Sequence, residues 1–356
     1  ILDLRHRIGQ LFIPMLDPRS LPAAKNVVKT DIDRYGIGGI LISGGTTAQH
    51  AALIDYAQSV SPVPLLVTLD GEWGPAMRLK DAERFPYNMT LGGIDNDTLL
   101  YDYGREVARQ CRLLGVQAVF APVLDVNSRP DNPVIGRRSF GENPERVSRL
   151  GSAYSRGLEA GGVLSVAKHF PGHGDTGTDS HKALPVVDHS AETLRDVDLR
   201  PFADYVANGF GGVMVGHLNV PALDNSGTAS SMSQPITEGL LRNRLGFEGL
   251  VFTDGLAMKG AIPPGGGDNC VGALLAGADM LVEPASIRTA MAAILEAVKT
   301  GRLSESLIDN RCRTVLRWKY ALGLSKRPSP SPAGLKEKMN GPESENMRRR
   351  LTAASI

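Results

Sequence analysis

The sequence predicts an α/β protein, a (β/α)8 TIM-type barrel with a short C-terminal linker and helix, on three observations. Eight short apolar runs rich in Val, Ile and Leu recur along the chain, as expected of strands buried on both faces. Most are followed by a longer segment with helical spacing. No GxGxxG follows a run and opens a helix, so a doubly wound open sheet is the less favoured arrangement.

The runs fall at Leu11–Met15, Gly38–Ile42, Pro64–Leu69, Gln117–Val123, Val163–Lys168, Gly211–Val215, Gly249–Thr253 and Asp279–Val282. Between them the helices carry their own punctuation. Asn143-Pro144-Glu145 supplies a cap, a first-turn proline and an acidic residue, and Gly161-Gly162 closes that helix before the next strand. From Ser325 the composition turns to SKRPSPSPAG, a Pro/Ser linker, and then to a capped helical pattern that reaches Ile356. The barrel is therefore assigned to residues 1–324, and 325–356 read as a linker and helix, the start of a truncated further region. Residues 326–356 hold seven basic and three acidic residues, so a basic tail follows a mildly acidic body.

Composition narrows the function. The 356 residues are 42% hydrophobic and 22% charged, with 39 basic residues against 38 acidic ones and a net charge of +1. That balance disfavours a nucleic acid or anionic-membrane surface. Apolar runs such as 209–216 fall far short of the roughly 18–20 residues that a spanning helix needs. Cys111, Cys270 and Cys312 are scattered without CxxC spacing and read as small core residues rather than a disulfide framework or a zinc knuckle.

Ionisable residues gather at the ends of the predicted strands: Asp70, Asp125, Lys168-His169, His217 and Asp254. In a barrel these ends converge on one mouth. The most specific stretch, Ala167 to His181, holds three of the seven histidines. A zinc site is disfavoured there, because Phe170-Pro171-Gly172 separates His169 from His173 and cannot hold the helical i, i+4 spacing of HExxH. Asp179-Ser180-His181 suggests a carboxylate orienting an imidazole that carries protons on a Gly-rich loop. The run Pro263-Pro264-Gly265-Gly266-Gly267 lacks the Gly-Lys-Ser/Thr of a phosphate loop and reads as a loop after the Asp254 strand.

These motifs resemble the β-N-acetylglucosaminidases of glycoside hydrolase family 3. KHFPGHGDTGTDSH is characteristic of that subgroup, while APVLDV with IGRRSFG, VMVGHLNVPALD and LVFTDGLAMKGA fit the wider family, in the expected order between about Ile8 and Leu324. The resemblance implies a barrel that removes terminal β-linked N-acetylglucosamine with retention. It implies Asp254 as nucleophile, His181 as general acid/base with Asp179 as its partner, and Asp70, Arg78, Arg138, Lys168 and His169 as sugar contacts. DGEWGPAMR keeps the Asp and Arg spacing but places Gly71 and Trp73 where the family shows other residues. Trp73 is therefore open to two readings, a stacking surface or ordinary packing.

A histidine with an ordinary pKa near 6.5 can donate a proton in one step and accept one in the next. The resemblance implies small glycosides or muropeptide fragments of bacterial cell wall as substrates, and no cofactor and no metal are expected. The periplasm or cell envelope is favoured over the cytoplasm. Three alternatives stand beside this reading: a glycoside phosphorylase, a catalytically silent sugar- or wall-binding domain, and a metal-dependent barrel hydrolase.

Overall fold

The computed structural model describes residues 2–177, 183–262 and 268–356. Asp179, His181 and the Pro263–Gly267 run therefore lie outside the described residues. Among the described residues there are nine strands: β1 (Phe12–Ile13), β2 (Met15–Leu16), β3 (Gly39–Ile42), β4 (Leu66–Leu69), β5 (Ala118–Val119), β6 (Leu164–Phe170), β7 (Gly212–Val215), β8 (Leu250–Thr253) and β9 (Leu281–Val282). Strands β2 to β8 pair in chain order, every pair parallel, and β1 pairs in parallel with β9. A bridge between Phe252 and Met280 links β8 to the β9 segment, with Met280 N donating to Val251 O and Thr253 N to Met280 O, so the curled sheet meets its other end without a regular ladder.

All eight apolar runs contain a strand, with two local departures. The first run is split by Pro14 into β1 and β2, because proline brings no N–H to the ladder. The fourth keeps only Ala118–Val119 as regular strand. Beyond it Pro122 again lacks a donor, and the chain follows β6 irregularly, with Lys168 N donating to Pro122 O at 3.0 Å and Leu124 N to Lys168 O at 2.7 Å. Strands β3, β4, β6, β7 and β8 are buried at every residue, consistent with parallel strands covered on both faces.

The helices surround this sheet with the predicted punctuation. Asn143 caps Pro144–Ala160 by accepting from Arg146 N at 2.9 Å, with Pro144 in the first turn. That helix lies close against Asp97–Leu114: a Cβ on Gly104 would stand 2.2 Å from Tyr154 O, and one on Gly157 2.1 Å from Tyr101 O. Only glycine permits this approach. Residues 325–356 pack on the same outer layer, with helices at Leu335–Met339 and Pro342–Ala354. Arg109 donates to Lys338 O and Met339 O, Gln110 to Ser344 Oγ, and Leu335, Met339, Met347 and Leu351 are buried. Among the described residues no helix is long and apolar enough to cross a membrane.

Candidate active site

The C-terminal ends of the strands open on a cleft of about 610 Å³. Six of the residues singled out from sequence line it: Asp70, Arg78, Arg138, Lys168, His169 and Asp254. Asp70 follows β4 and Asp254 follows β8, while Arg138 comes from the loop after β5. Lys168 and His169 are consecutive residues of β6, and consecutive strand residues ordinarily face opposite ways. Here the pairing with β7 slips between Ala167 and Phe170, an irregularity that re-aims side chains, and both line the cleft.

The floor of the cleft is a buried ionic network. Arg78 Nη2 donates to Asp70 Oδ2 at 2.6 Å, and Lys168 Nζ lies 3.0 Å from Asp70 Oδ1 and 2.8 Å from Glu72 Oε1. Arg138 grips Glu72 with two parallel bonds, Nε to Oε2 at 2.9 Å and Nη2 to Oε1 at 2.7 Å, the strong bidentate form of an ion pair. Burial alone would raise the Glu72 carboxyl, but the charges of Arg138 and Lys168 reverse that and hold it well below the usual range. Asp70 is lowered against burial by Lys168 and Arg78. Burial likewise works against the Lys168 ammonium, yet Asp70 and Glu72 raise its pKa. The result is a fixed set of charged donors and acceptors, the arrangement suited to sugar hydroxyls.

Asp125 organises the next layer. Its Oδ2 lies 2.7 Å from His169 Nδ1, and Oδ1 accepts the backbone N–H of His169 at 3.1 Å and of His173 at 2.7 Å. His169 is thereby turned so that Nε2 faces Arg138 Nη2 at 3.3 Å. His173 lies with Nδ1 2.6 Å from Thr176 Oγ1, and burial pushes its pKa down to about 4.

Asp254 is held differently. Its Oδ1 accepts the Gly255 N–H at 2.8 Å. Burial would raise its pKa, but the neighbouring His169 and His217, together with that N–H, hold it down to about 2. The fully buried His217 places Nδ1 2.7 Å from Ser231 Oγ and Nε2 2.9 Å from Gly255 O, so it fixes the turn on which Asp254 sits. Among the described residues Asp254 enters no ion pair. Asp70 and Glu72 are committed to cations, whereas Asp254 is ionised and keeps Oδ2 uncommitted among the described residues.

Four residues of this site had no assigned role in the sequence. Asp125 and His217 were visible as strand-end residues, but their partners are defined by tertiary contact. Glu72 lies two residues beyond Asp70 in the same motif. Glu283 follows β9, lines the cleft, and adopts φ 49°, a conformation uncommon outside glycine and frequent at functional sites. Trp73 does not line the cleft; its ring packs edge-on against Tyr87, with centroids 4.7 Å apart.

Residues 3–318 match the glycosyl hydrolase family 3 N terminal domain. The chain belongs to glycosyl hydrolase family 3. Within that family it is 33% identical to Beta-hexosaminidase A of Pseudoalteromonas piscicida, an alignment covering all of this chain and 65% of that protein. It is 35% identical to Beta-hexosaminidase LpqI of Mycobacterium tuberculosis over 93% of this chain and 84% of that one. The solved family 3 β-N-acetylglucosaminidase of Paenibacillus sp. superimposes with a TM-score of 0.89 at 33% identity, covering all of this chain and 69% of the other. The chain thus spans less than two-thirds of the Pseudoalteromonas relative's length.

Proposed function

We propose that this family 3 chain is a retaining exo-β-N-acetylglucosaminidase that acts on terminal β-linked N-acetylglucosamine, with Asp254 as nucleophile and His181, oriented by Asp179, as acid/base. The observation that carries the reading is the division of labour among the cleft carboxylates. Asp70 and Glu72 are locked to Arg78, Lys168 and Arg138, while Asp254 is held ionised with one oxygen uncommitted among the described residues. A nucleophile needs that freedom.

In the first step an Asp254 oxygen bonds to the anomeric carbon as the glycosidic C–O bond breaks, and His181 protonates the departing oxygen. In the second, water attacks that carbon, His181 takes the water's proton, and the bond to Asp254 breaks. Asp70, Arg78, Arg138, Lys168 and His169 hold the hydroxyls so that the ring presents its anomeric carbon to Asp254. The names of the relatives support an N-acetylhexosamine substrate. Muropeptide fragments, and a periplasmic or envelope location, extend the same reading.

Asp254→Asn is expected to lower turnover of an aryl N-acetylglucosaminide by at least about 10³-fold. Intact-mass analysis with a slow fluorinated substrate should place the sugar adduct on Asp254. Full activity in the variant, or an adduct elsewhere, overturns the assignment. The sugar released in phosphate buffer should be free N-acetylglucosamine; a sugar 1-phosphate would make the enzyme a phosphorylase. His181→Ala should slow substrates with poor leaving groups by about 10²- to 10⁴-fold and activated aryl substrates far less. Equal losses would make His181 structural.

A further inference from the structure

Beside the cleft, and outside its lining, the loops after β4 and β5 build a cationic platform. These strands are neighbours in the sheet, so their following loops stand side by side at the mouth. The Arg137 guanidinium lies 4.4 Å from the centroid of the Tyr87 ring and that of Arg84 5.2 Å from the same centroid. Arg84 also donates to the Tyr87 hydroxyl. Trp73 braces the ring from its edge.

Three chain connections place this platform against the wall of the sugar cleft. Trp73 follows Glu72, and Arg137 precedes Arg138. Tyr87 precedes Asn88, whose amide donates to Arg138 O at 2.7 Å. Consecutive Cα atoms are about 3.8 Å apart, so the platform is one residue removed from the clamp.

Its charge balance differs from that of the cleft. Arg78, Arg138 and Lys168 each answer a carboxylate. Arg84 and Arg137 are exposed, and among the described residues neither has a carboxylate within ion-pair distance. The face of the ring attracts both cations, but two guanidinium groups held beside one ring repel each other. A planar anion answers that positive charge and matches the fork of the guanidinium.

We propose that Arg84, Tyr87 and Arg137 form a subsite for a carboxylate on the group attached to the cleaved sugar, and so give the enzyme a preference for anionic glycosides. This inference rests on the hydrolase reading above and specifies what lies beyond the cleaved bond. The site is solvent-exposed, so each contact contributes modestly, and the two together should be worth about 3- to 10-fold in kcat/KM.

The test uses the disaccharide of N-acetylglucosamine β-linked to N-acetylmuramic acid, and the same disaccharide with its carboxylate converted to the carboxamide. The protein should hydrolyse the acid with about 3- to 10-fold higher kcat/KM than the amide, and added salt should shrink the ratio. In R84Q/R137Q the ratio should fall to about 1, with the loss in KM, while an uncharged aryl N-acetylglucosaminide reports whether the sugar cleft is intact. Equal use of acid and amide by the unaltered protein, or a ratio that survives in R84Q/R137Q, overturns the subsite. If no glycoside is cleaved, the hydrolase reading fails by itself. Equilibrium titration of the acid and amide onto the protein then decides the subsite: tighter binding of the acid, lost in R84Q/R137Q, supports it, and equal binding overturns it.

Discussion

Lys168 at the mouth of the barrel and Lys319 at its other end are nearly equally hidden, with 3% and 4% of their surface exposed. Lys168 stands between Asp70 and Glu72, and its pKa is raised despite burial. Lys319, on the helix Glu305–Ala321, donates to Gln10 Oε1 at 2.7 Å. Gln10 lies just before β1, and its Nε2 donates to Gly36 O, just before β3, which places this pair at the N-terminal ends of the strands. Without a carboxylate partner among the described residues, Lys319 is pushed down to about 7 by burial, which the nearby Cys312 only partly offsets. Burial opposes both charges; the partners decide which one survives. The mouth keeps a charged ammonium, and the base accommodates an amine that is readily neutralised.

Lys168→Met is the largest perturbation available to this comparison. It leaves Asp70 and Glu72 with less cationic compensation in a buried site, which costs about 3 kcal/mol and removes a donor aimed into the cleft. Denaturant unfolding should show that loss, and kcat/KM on an aryl N-acetylglucosaminide should fall by about 10²-fold or more. Undiminished stability and activity would show that Arg78 and Arg138 hold the carboxylates by themselves.

Lys319→Met should act in the opposite direction. A methionine of similar length fills the space without charge, and replacing a buried charge by an apolar side chain is often neutral or stabilising by 1–4 kcal/mol. Since the folded pKa of about 7 lies below the ordinary value of 10.5, the unfolded chain binds more protons between those limits. Stability of the unaltered protein should therefore rise with pH from about 7 to 10.5, by up to about 1.4 kcal/mol per unit. The advantage of Lys319→Met, about 2 kcal/mol at pH 6, should vanish near about pH 8.5 and reverse above it. An advantage that stays constant with pH would mean that Lys319 does not titrate in this window.

The contrast also shows what a sequence exposes. Strands buried on both faces announce themselves as apolar runs, and polar residues at their ends mark the mouth, so Asp70, Lys168, His169 and Asp254 were legible with their approximate placement. Arg78 and Arg138 were legible only through motif resemblance. Glu72, Asp125 and His217 were present in the same motifs, but their roles depend on which side chains meet across strands far apart in the chain. Glu283 stands at a strand end without a motif to mark it, and its distinguishing φ is a property of the folded backbone. Lys319 was less legible still. Arg311, Arg313, Arg317 and Lys319 share one helix, and local spacing does not say which of these cations the barrel covers. The two short helices after Ser325 read as a tail because Leu335, Met339, Met347 and Leu351 find their apolar partners only in the outer layer of the barrel.

The smallest effect tests the partner rather than the lysine. Gln10→Met removes the acceptor of Lys319 and the donor to Gly36 O, and a buried group left unpaired costs about 1–3 kcal/mol. Combining it with Lys319→Met isolates their mutual term in a double-mutant cycle. A hydrogen bond from a charged amine contributes about 1.5–3 kcal/mol and a neutral one about 1. The coupling should therefore exceed 1 kcal/mol at pH 6 and fall to about that value by pH 9, because the folded amine loses its proton near pH 7. Lys168 offers the control, since its raised pKa keeps its coupling to Glu72 unchanged over the same interval. If the Gln10–Lys319 coupling is equally flat, Lys319 remains charged, and the difference between the two ends of the barrel disappears.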